Sequence, residues 1–218
     1  MRESVMVAGS GHYGVLLTQS WEESAMKLSL GAKPLALPTP AWLVGTFDAD
    51  GKPNLVTVAW CGVCCTDPPS IAVSLRKARY SYDAIVARRA FTVNVPSESF
   101  VRETDYAGVV SGRTGDKFAV AGLTPVPSDQ VDAPYVDECP LVLECRLAQT
   151  IEVGVHIQFI GEIVNVRADE AVLDANGLPD MLKVRPIVYD PGAKVYYGVG
   201  DCIGKAFSIG NELNKPQE

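Results

Sequence analysis

Apolar and polar residues alternate along much of the chain from residue 42 onward, which is the pattern of half-buried β-strands. The first two such segments, Trp42 to Phe47 and Leu55 to Trp60, flank an Asp-Gly pair at Asp50-Gly51 and predict a β-hairpin. The same pattern predicts further strands over residues 71–75, 91–95, 141–151, 155–166, 187–189 and 195–199. Many strands with few helices favour an antiparallel barrel or sandwich over βαβ units.

Helical patterns interrupt the strands at three places. A helix is predicted over Ser81 to Val86, with Ser81 as its N-cap, because a serine hydroxyl can accept a hydrogen bond from a free N–H of the first turn. The polar stretch after Ser97 has helical character as far as Tyr106. A third, short helix is predicted over Asp116 to Ala121 and ends at Gly122.

Length, composition and charge limit the classes of protein to consider. The chain has 218 residues, 47% of them hydrophobic, and can therefore bury a sizeable core. A formal net charge of -7 and a pI near 4.9 argue against a nucleic-acid partner. Because no uninterrupted apolar stretch is long enough to cross a bilayer, the sequence predicts no membrane partner.

Six cysteines bear on the compartment and on metal chemistry. They are Cys61, Cys64, Cys65, Cys139, Cys145 and Cys202, without the regular spacing of a disulfide framework, and they favour a reducing, cytoplasmic setting. The first two form a C-x-x-C pair, but a structural zinc would need two further ligands. We therefore predict reduced, packed thiols and no metal site, and keep a zinc or thiol redox protein as an alternative.

The N-terminal residues are interpreted as an extension. Residues 9–14 match the dinucleotide fingerprint G-x-G-x-x-G, but Pro34, Pro38 and Pro40 follow where a Rossmann unit needs a helix and a second parallel strand. We expect residues 1–25 to lie outside the fold and residues 26–218 to form one domain.

The most informative cluster of side chains is basic. Arg76, Lys77 and Arg79 fall between a predicted strand and a predicted helix, in a chain that is acidic overall. Period-2 alternation places Ser74 and Arg76 on one face of the strand, and the helix N-terminus adds free N–H groups and a partial positive charge. This arrangement suits a bound phosphate, although the same residue types also occur in a solvated basic turn.

His156 is the one histidine after residue 12, and it begins a predicted strand. A half-exposed strand histidine with a single hydrogen bond and a catalytic histidine are both open from the residues alone. No Ser-His-Asp arrangement or pair of carboxylates accompanies it, so the sequence does not support hydrolase chemistry.

A series of short motifs, taken in order, resembles one known family. The segments are Pro38 to Thr46, Gly51 to Leu55, Thr57 to Trp60, Asp67 to Pro69, Ser74 to Lys77, Phe91 to Val95, Ser111-Gly112 with Asp116 to Phe118, Leu143 to Cys145, and Gly154 to Glu162. Together they resemble the flavin reductase-like, FMN-binding split-barrel proteins, most closely the flavoredoxins. The resemblance covers about Met26 to Gly210.

The resemblance implies a mainly β fold, a Greek-key split barrel with a few helices. It also implies a homodimer with FMN held non-covalently near the subunit interface. The basic cluster becomes the expected phosphate site, with Ser74, Arg76, Lys77 and Ser81 as ligands and Arg79 or Tyr80 beside them, and Leu75 is a further expected cofactor contact. The expected contacts of the flavin ring are Thr57, Val58, Ala59, Trp60 and Cys61, and the loop from Cys61 to Pro69 would wall the ring. Asn94 and Ser111 are further candidates by position.

Two functions from different classes remain open. One is a flavoredoxin-type carrier that exchanges electrons with a protein partner through FMN, and the acidic surface would steer a basic redox partner. The other is an NAD(P)H-dependent flavin or ferric reductase, in which His156 would lie where the nicotinamide stacks. Many relatives carry Gly-Asp-His where this chain has Gly154-Val155-His156, so the residues leave nicotinamide recognition open.

Overall fold

The computed structural model describes residues 26–214. This part of the chain falls into two units, one ending at Lys33 and one beginning at Pro34. Residues 26–33 contain no helix or strand and are exposed. The predictions for residues 1–25, including the G-x-G-x-x-G segment, lie outside the described residues.

Twelve strands occur between residues 34 and 214. They are Thr39–Pro40 (β1), Trp42–Phe47 (β2), Pro53–Val58 (β3), Cys61–Thr66 (β4), Pro69–Leu75 (β5), Ala90–Val95 (β6), Pro125–Pro127 (β7), Pro134–Val136 (β8), Leu141–Val153 (β9), His156–Ala168 (β10), Val188–Asp190 (β11) and Val195–Tyr197 (β12). The predicted hairpin is confirmed as β2 and β3, although β3 ends at Val58 rather than Trp60. The segment after Cys61, which was expected to be a loop, forms β4.

Four α-helices occur in the same part of the chain. They are Tyr80–Arg88 (α1), Val101–Val109 (α2), Lys117–Ala121 (α3) and Met181–Val184 (α4), with short 3₁₀ turns at Glu98–Phe100, Glu170–Val172 and Ile209–Asn214. The expected short helix is confirmed as α3, with Asp116 capping its first turn and Gly122 at φ 65° ending it. The prediction of Ser81 as an N-cap is wrong, because α1 begins at Tyr80, and Arg79, two residues before Ser81, takes the cap position.

Seven strands form the main sheet in the order β3-β2-β6-β9-β10-β5-β4. All its neighbouring strands pair antiparallel, and the long hairpin of β9 and β10 stands at the centre. Small sheets of β1, β11 and β12 and of β7 and β8 complete the fold. The expectation of a mainly β protein is confirmed.

The core explains how the sheet curls. Val56 and Val58 of β3 pack in one cluster with Ile71 and Val73 of β5, although four strands lie between β3 and β5 in the hydrogen-bonding order. Phe91 and the rest of this cluster fill the interior between them. Alternate residues of each strand therefore point into a common interior, as in a barrel.

Among residues 26–214, no helix is both long enough and apolar enough to span a membrane.

Candidate functional site

The turn between β5 and α1, residues 76–79, carries the basic cluster. The turn is tight, because the Arg79 N–H donates to the Arg76 carbonyl at 3.0 Å. Arg79 then adopts an extended conformation at the cap position and offers the helix no side-chain hydrogen bond. The N–H groups of Tyr80 and Ser81 open the helix and have no partner within it. The first turn of α1 is therefore available to an anion.

A hollow of about 300 Å³ lies beside this turn and is called here the basic hollow. Its lining comes from β3, from the turn and the start of α1, from the loop after α2, and from α3. The lining residues are Asn54, Val56, Arg76, Ala78, Arg79, Tyr80, Ser81, Val110, Ser111, Gly112 and Lys117. Three of them carry a positive charge and none is acidic.

Lys117 is the least accessible of these charges. The residue is only 4% exposed, and its Nζ donates to the carbonyls of Leu55 at 2.6 Å and Ala107 at 2.7 Å. An ammonium has three donors, so one remains for a ligand. Burial, aided by the charge of Arg79, lowers the pKa of Lys117 to about 8. Among residues 26–214, no carboxylate forms an ion pair with this ammonium.

Asn54 and Gly112 also line the basic hollow. The Asn54 amide donates to the Ser81 hydroxyl at 2.9 Å, and both residues are buried. Ser81 therefore lies at the hollow as expected, but its oxygen is held by Asn54 and not by the helix. A Cβ on Gly112 would collide with Asn54 Oδ1 and would lie 2.5 Å from a Tyr80 ring carbon. Only glycine lets the loop after α2 approach this closely.

A second hollow of about 300 Å³, the strand-end hollow, adjoins the first and shares Arg76 and Arg79 with it. Its other lining residues are Thr57, Val58, Ala59, Trp60, Ser74, Leu75, His156 and Tyr189. Ala59 and Trp60 lie between β3 and β4, outside both ladders, so their N–H groups are not committed to strand pairing. The Ser74 N–H donates to the Trp60 carbonyl at 2.9 Å and so joins β5 to the segment between β3 and β4.

A third hollow of about 220 Å³ shares Thr57, Ala59 and Tyr189 with the strand-end hollow. The rings of Tyr189 and Tyr196 lie 5.4 Å apart between centroids. The Tyr196 hydroxyl donates to Asp105 at 2.9 Å, and burial together with this carboxylate raises the pKa of Tyr196. The three hollows therefore adjoin one another through shared lining residues, and together they are called the depression, which is basic at one end and aromatic at the other.

Most of the residues expected from the sequence meet at this depression. Those that line it are Thr57, Val58, Ala59, Trp60, Ser74, Leu75, Arg76, Arg79, Tyr80, Ser81, Ser111 and His156. Lys77 does not line it, and its Nζ lies 2.5 Å from Glu152 Oε1 at an exposed position. Cys61 is also outside the lining, with its Sγ 3.7 Å from the Val58 carbonyl.

The placement of Asn94 corrects the expectation for that residue. Its side chain is fully buried and donates to the Leu43 carbonyl and the Thr92 hydroxyl, each at 3.0 Å. Its Oδ1 accepts the Val136 N–H at 2.8 Å. Because these bonds use both ends of the amide, Asn94 joins strands in the interior and does not reach the depression.

Sequence reasoning gave no role to several residues that line the depression, among them Asn54, Gly112, Lys117 and Tyr189. The first three lie within motifs that carried the family resemblance, but nothing in hydrophobic periodicity singled them out. Tyr189 was placed in a strand without a role. A buried lysine in a short helix gives no sequence pattern different from that of an exposed one.

Metal and thiol chemistry find little support in residues 26–214. That part of the chain contains no group of three or more His, Cys, Asp or Glu side chains placed to hold a metal ion. All six cysteines are free thiols. Burial raises the pKa of Cys61 to about 12, which disfavours the reactive thiolate at neutral pH.

Comparison with known sequences defines the class of protein to which the chain belongs. The profile of the flavin reductase-like domain matches residues 35–196, and the chain therefore belongs to the flavin reductase-like domain family. Within that family it is flavoredoxin-like.

Solved structures support this placement. Flavoredoxin of Desulfovibrio vulgaris (Miyazaki F) is 55% identical, with a TM-score of 0.82 over 85% of this chain and 100% of that chain. Flavoredoxin from Methanosarcina acetivorans is 32% identical, with a TM-score of 0.81 over 87% of this chain and 100% of that chain. A Shewanella frigidimarina NCIMB 400 structure described as having a split barrel domain is 23% identical, with a TM-score of 0.73 over 80% and 88% of the two chains. The expected split-barrel fold is confirmed.

The thiol environments predict an order of alkylation. At pH 8 we expect iodoacetamide to modify the exposed Cys64 and Cys65 well before Cys61, whose burial suppresses its thiolate. Peptide mass spectrometry over a time course measures each rate. Buried Cys139 and Cys145 serve as slow internal references. Equal rates at Cys61 and Cys64 would contradict the burial argument.

Proposed function

We propose that the chain binds FMN non-covalently in the depression, with the phosphate in the basic hollow and the isoalloxazine ring in the strand-end hollow. The observation that carries the proposal is the pair of arginines, Arg76 and Arg79, shared by the two adjoining hollows. A phosphate and an aromatic ring joined by a short chain would need this combination of a cationic compartment and an adjoining compartment with aromatic surface.

The basic hollow has the chemistry of a monophosphate site. Arg76 and Arg79 offer charge and planar donor groups, and the buried Lys117 adds a third positive charge. The open N-terminus of α1 contributes backbone donors and the positive end of the helix dipole. These features occur in a chain with a formal net charge of -7, so they are not the result of a generally basic composition.

The strand-end hollow suits the flavin ring. Trp60 and Tyr189 provide aromatic surface, and the uncommitted N–H groups at Ala59 and Trp60 would face the polar edge of the ring. FMN, when bound, supplies transfer of one or two electrons. Backbone donors of this kind stabilise the negative charge that gathers on a reduced flavin without changing their own ionisation.

For its cellular role we propose electron transfer between protein partners rather than turnover of free flavin. The 55% identity with a flavoredoxin over 85% of the chain supports the carrier. The acidic net charge would attract a basic redox partner and raise its association rate. The alternative, NAD(P)H-dependent reduction, is favoured by one observation, namely that His156 lines the strand-end hollow.

We further propose that the working unit is a homodimer. Several large apolar side chains around the depression are left exposed in one chain, among them Trp60 at 37%, Val109 at 74% and Tyr197 at 57%. Covering such side chains gains free energy in proportion to the apolar area removed from water. A second chain placed over the rim would shield both these residues and the bound ring.

The experiment that tests the role is anaerobic titration of the FMN-loaded protein. We expect the visible flavin absorption to persist after addition of NADH or NADPH and to bleach with dithionite or with a reduced protein donor. Rapid bleaching by a nicotinamide would overturn the carrier proposal in favour of the reductase, and His156→Ala should then slow it. A preparation that retains no FMN would refute flavin binding itself.

Arg76 and Lys77 provide a matched test of the phosphate position. Arg76→Ala should weaken FMN binding by roughly ten- to a hundredfold, the loss of one charge-assisted contact, while riboflavin affinity changes little. Lys77→Ala should have a much smaller effect, because Lys77 lies outside the hollow against Glu152. Fluorescence quenching of each flavin measures both affinities. An equal loss of FMN affinity in the two variants would contradict this placement of the phosphate.

Lys117 predicts a pH dependence of FMN affinity. Its pKa is about 8 in the free protein, and a bound phosphate would raise that pKa by stabilising the ammonium. Binding therefore takes up a proton above pH 8, so FMN affinity should fall as the pH rises from about 8 to 9.5. Titrations of FMN across this range measure the effect.

Two controls isolate the contribution of Lys117. Riboflavin has no phosphate, so its affinity should be nearly constant over the same pH range and also reports whether a variant is folded. Lys117→Met should weaken FMN binding at pH 7 and abolish the decline above pH 8. A decline of the same size in Lys117→Met would show that another group is responsible.

A further inference from the structure

The segment after β12, residues 199–214, is called here the C-terminal arm. It lies beyond residue 196, where the match to the flavin reductase-like domain ends. Every residue from 197 to 211 is exposed, and the large apolar side chains are almost wholly accessible, with Ile203 95%, Leu213 91% and Phe207 fully exposed. Because monomeric proteins rarely leave a group of large apolar side chains in water, the arm indicates a surface that covers it.

The arm makes its hydrogen bonds within itself. The Ile209 N–H donates to the Lys205 carbonyl at 3.0 Å, and the Asn211 N–H donates at the same distance to the carbonyl of Ser208. A Cβ on Gly204 would collide with the Ile209 side chain, so these two residues pack together. Among residues 26–214, no hydrogen bond or ion pair joins the arm to the rest of the chain. The arm is therefore locally ordered but is not tied to its own chain.

A fourth hollow, of about 340 Å³, lies beside β11 and β12 and is called here the apolar hollow. Its lining residues are Leu37, Pro38, Val188, Tyr189, Asp190 and Tyr197. Two of them, Leu37 and Tyr197, are more than half exposed, so the apolar surface of this hollow is also uncovered in one chain. Tyr189 lines the strand-end hollow as well, and the apolar hollow therefore adjoins the depression at its aromatic end.

We infer that the C-terminal arm of each chain crosses to a second copy and places Phe207 in the apolar hollow of that copy. The inference rests on the homodimer proposed above, and it names the segment that joins the two chains. The partner subunit's Phe207 would pack on Tyr189 and Tyr197 and would complete the aromatic end of the depression. The site of one chain is then incomplete without the arm of the other.

A second copy fits the arm better than an unrelated protein does. Each chain has one uncovered arm and one uncovered hollow, and a two-fold exchange covers both in each chain at once. An unrelated partner would have to bring an apolar groove for the arm and also an apolar side chain for the hollow. The charges are complementary too, because Lys205 stands two residues before Phe207 and Asp190 is the one charged residue of the lining.

The test uses two variants of the full chain that damage opposite sides of the contact. Phe207→Asp places a charge on the arm, and Leu37→Asp places one in the hollow. Each should raise the dissociation constant of the dimer by roughly tenfold or more, because a charge would have to enter an apolar contact. Leu178→Asp is the matched control, since Leu178 is as exposed as Leu37 and lines none of the four hollows. Sedimentation measures the dimer, and circular dichroism checks that each variant is folded.

Mixing the two damaged variants shows whether the arm crosses between chains. In a heterodimer of Phe207→Asp with Leu37→Asp, the intact arm of one chain meets the intact hollow of the other, so one of the two contacts is restored. We expect the heterodimer to be tighter than either homodimer. An arm that folded back on its own chain would leave both contacts damaged, and mixing would then restore nothing.

Cross-linking reads the contact directly. Phe207→Cys and Leu37→Cys are made in separate chains that carry tags of different size, and Cys64, Cys65 and Cys202 are changed to Ser to remove the other exposed thiols. A bismaleimide, which adds one thiol at each end and needs no oxidant, should join the two kinds of chain into a covalent heterodimer. Leu178→Cys in place of Leu37→Cys gives the background yield.

The outcomes separate the inference from the homodimer on which it rests. A wild-type dimer that Phe207→Asp and Leu37→Asp leave unimpaired overturns the inference alone, because the arm is then free for a different partner. A mixture no more dimeric than its separate components overturns it as well, and so does cross-linking at the background yield. A wild-type protein that is monomeric would remove the homodimer and the inference together.

Discussion

The closure of the main sheet on itself is the constraint on which the site depends. β3 and β5 are not hydrogen-bonded neighbours, yet Val56 and Val58 of one strand share a core cluster with Ile71 and Val73 of the other. Burial of these side chains brings the two strands together along a seam. The basic and strand-end hollows both lie on that seam, with walls from β3 and from the end of β5. A flat sheet of the same strands would have no such depression.

The electrostatics of the seam follow from how Lys117 is held. A buried ammonium is costly unless its protons find acceptors, and here two backbone carbonyls accept them. Neutral carbonyls satisfy the hydrogen bonds without cancelling the charge. A carboxylate in their place would have stabilised the lysine more strongly but would have left little attraction for an anion. The same burial, with no carboxylate of the described residues beside the ammonium, also lowers the pKa of Lys117.

The sequence was sufficient for six of the seven strands of the main sheet and for the basic turn, but not for the finer composition of the site. Asn54 and Asn94 both lie in apolar strands, and the alternation of apolar and polar residues does not distinguish their environments. Register separates them, because Asn94 meets the Leu43 carbonyl and the Val136 N–H, whereas Asn54 meets Ser81 at the hollow. The strand beginning at Cys61 was missed because Cys61-Gly62 and Cys64-Cys65-Thr66 have neither clear alternation nor bulk. Such contacts are decided by tertiary packing, which local patterns do not encode.

The strand order also sets when the site can form during synthesis. β5 joins the rest of the main sheet through β10 and β9, which are made after every residue of the basic hollow. A ribosome adds roughly 5–20 residues per second, so about fifty residues beyond Lys117 take several seconds to appear. During that interval the hairpin of β9 and β10, which connects β5 to the rest of the main sheet, has not yet been made. The nascent chain thus contains every residue that lines the basic hollow before the sheet that brings these residues together has formed.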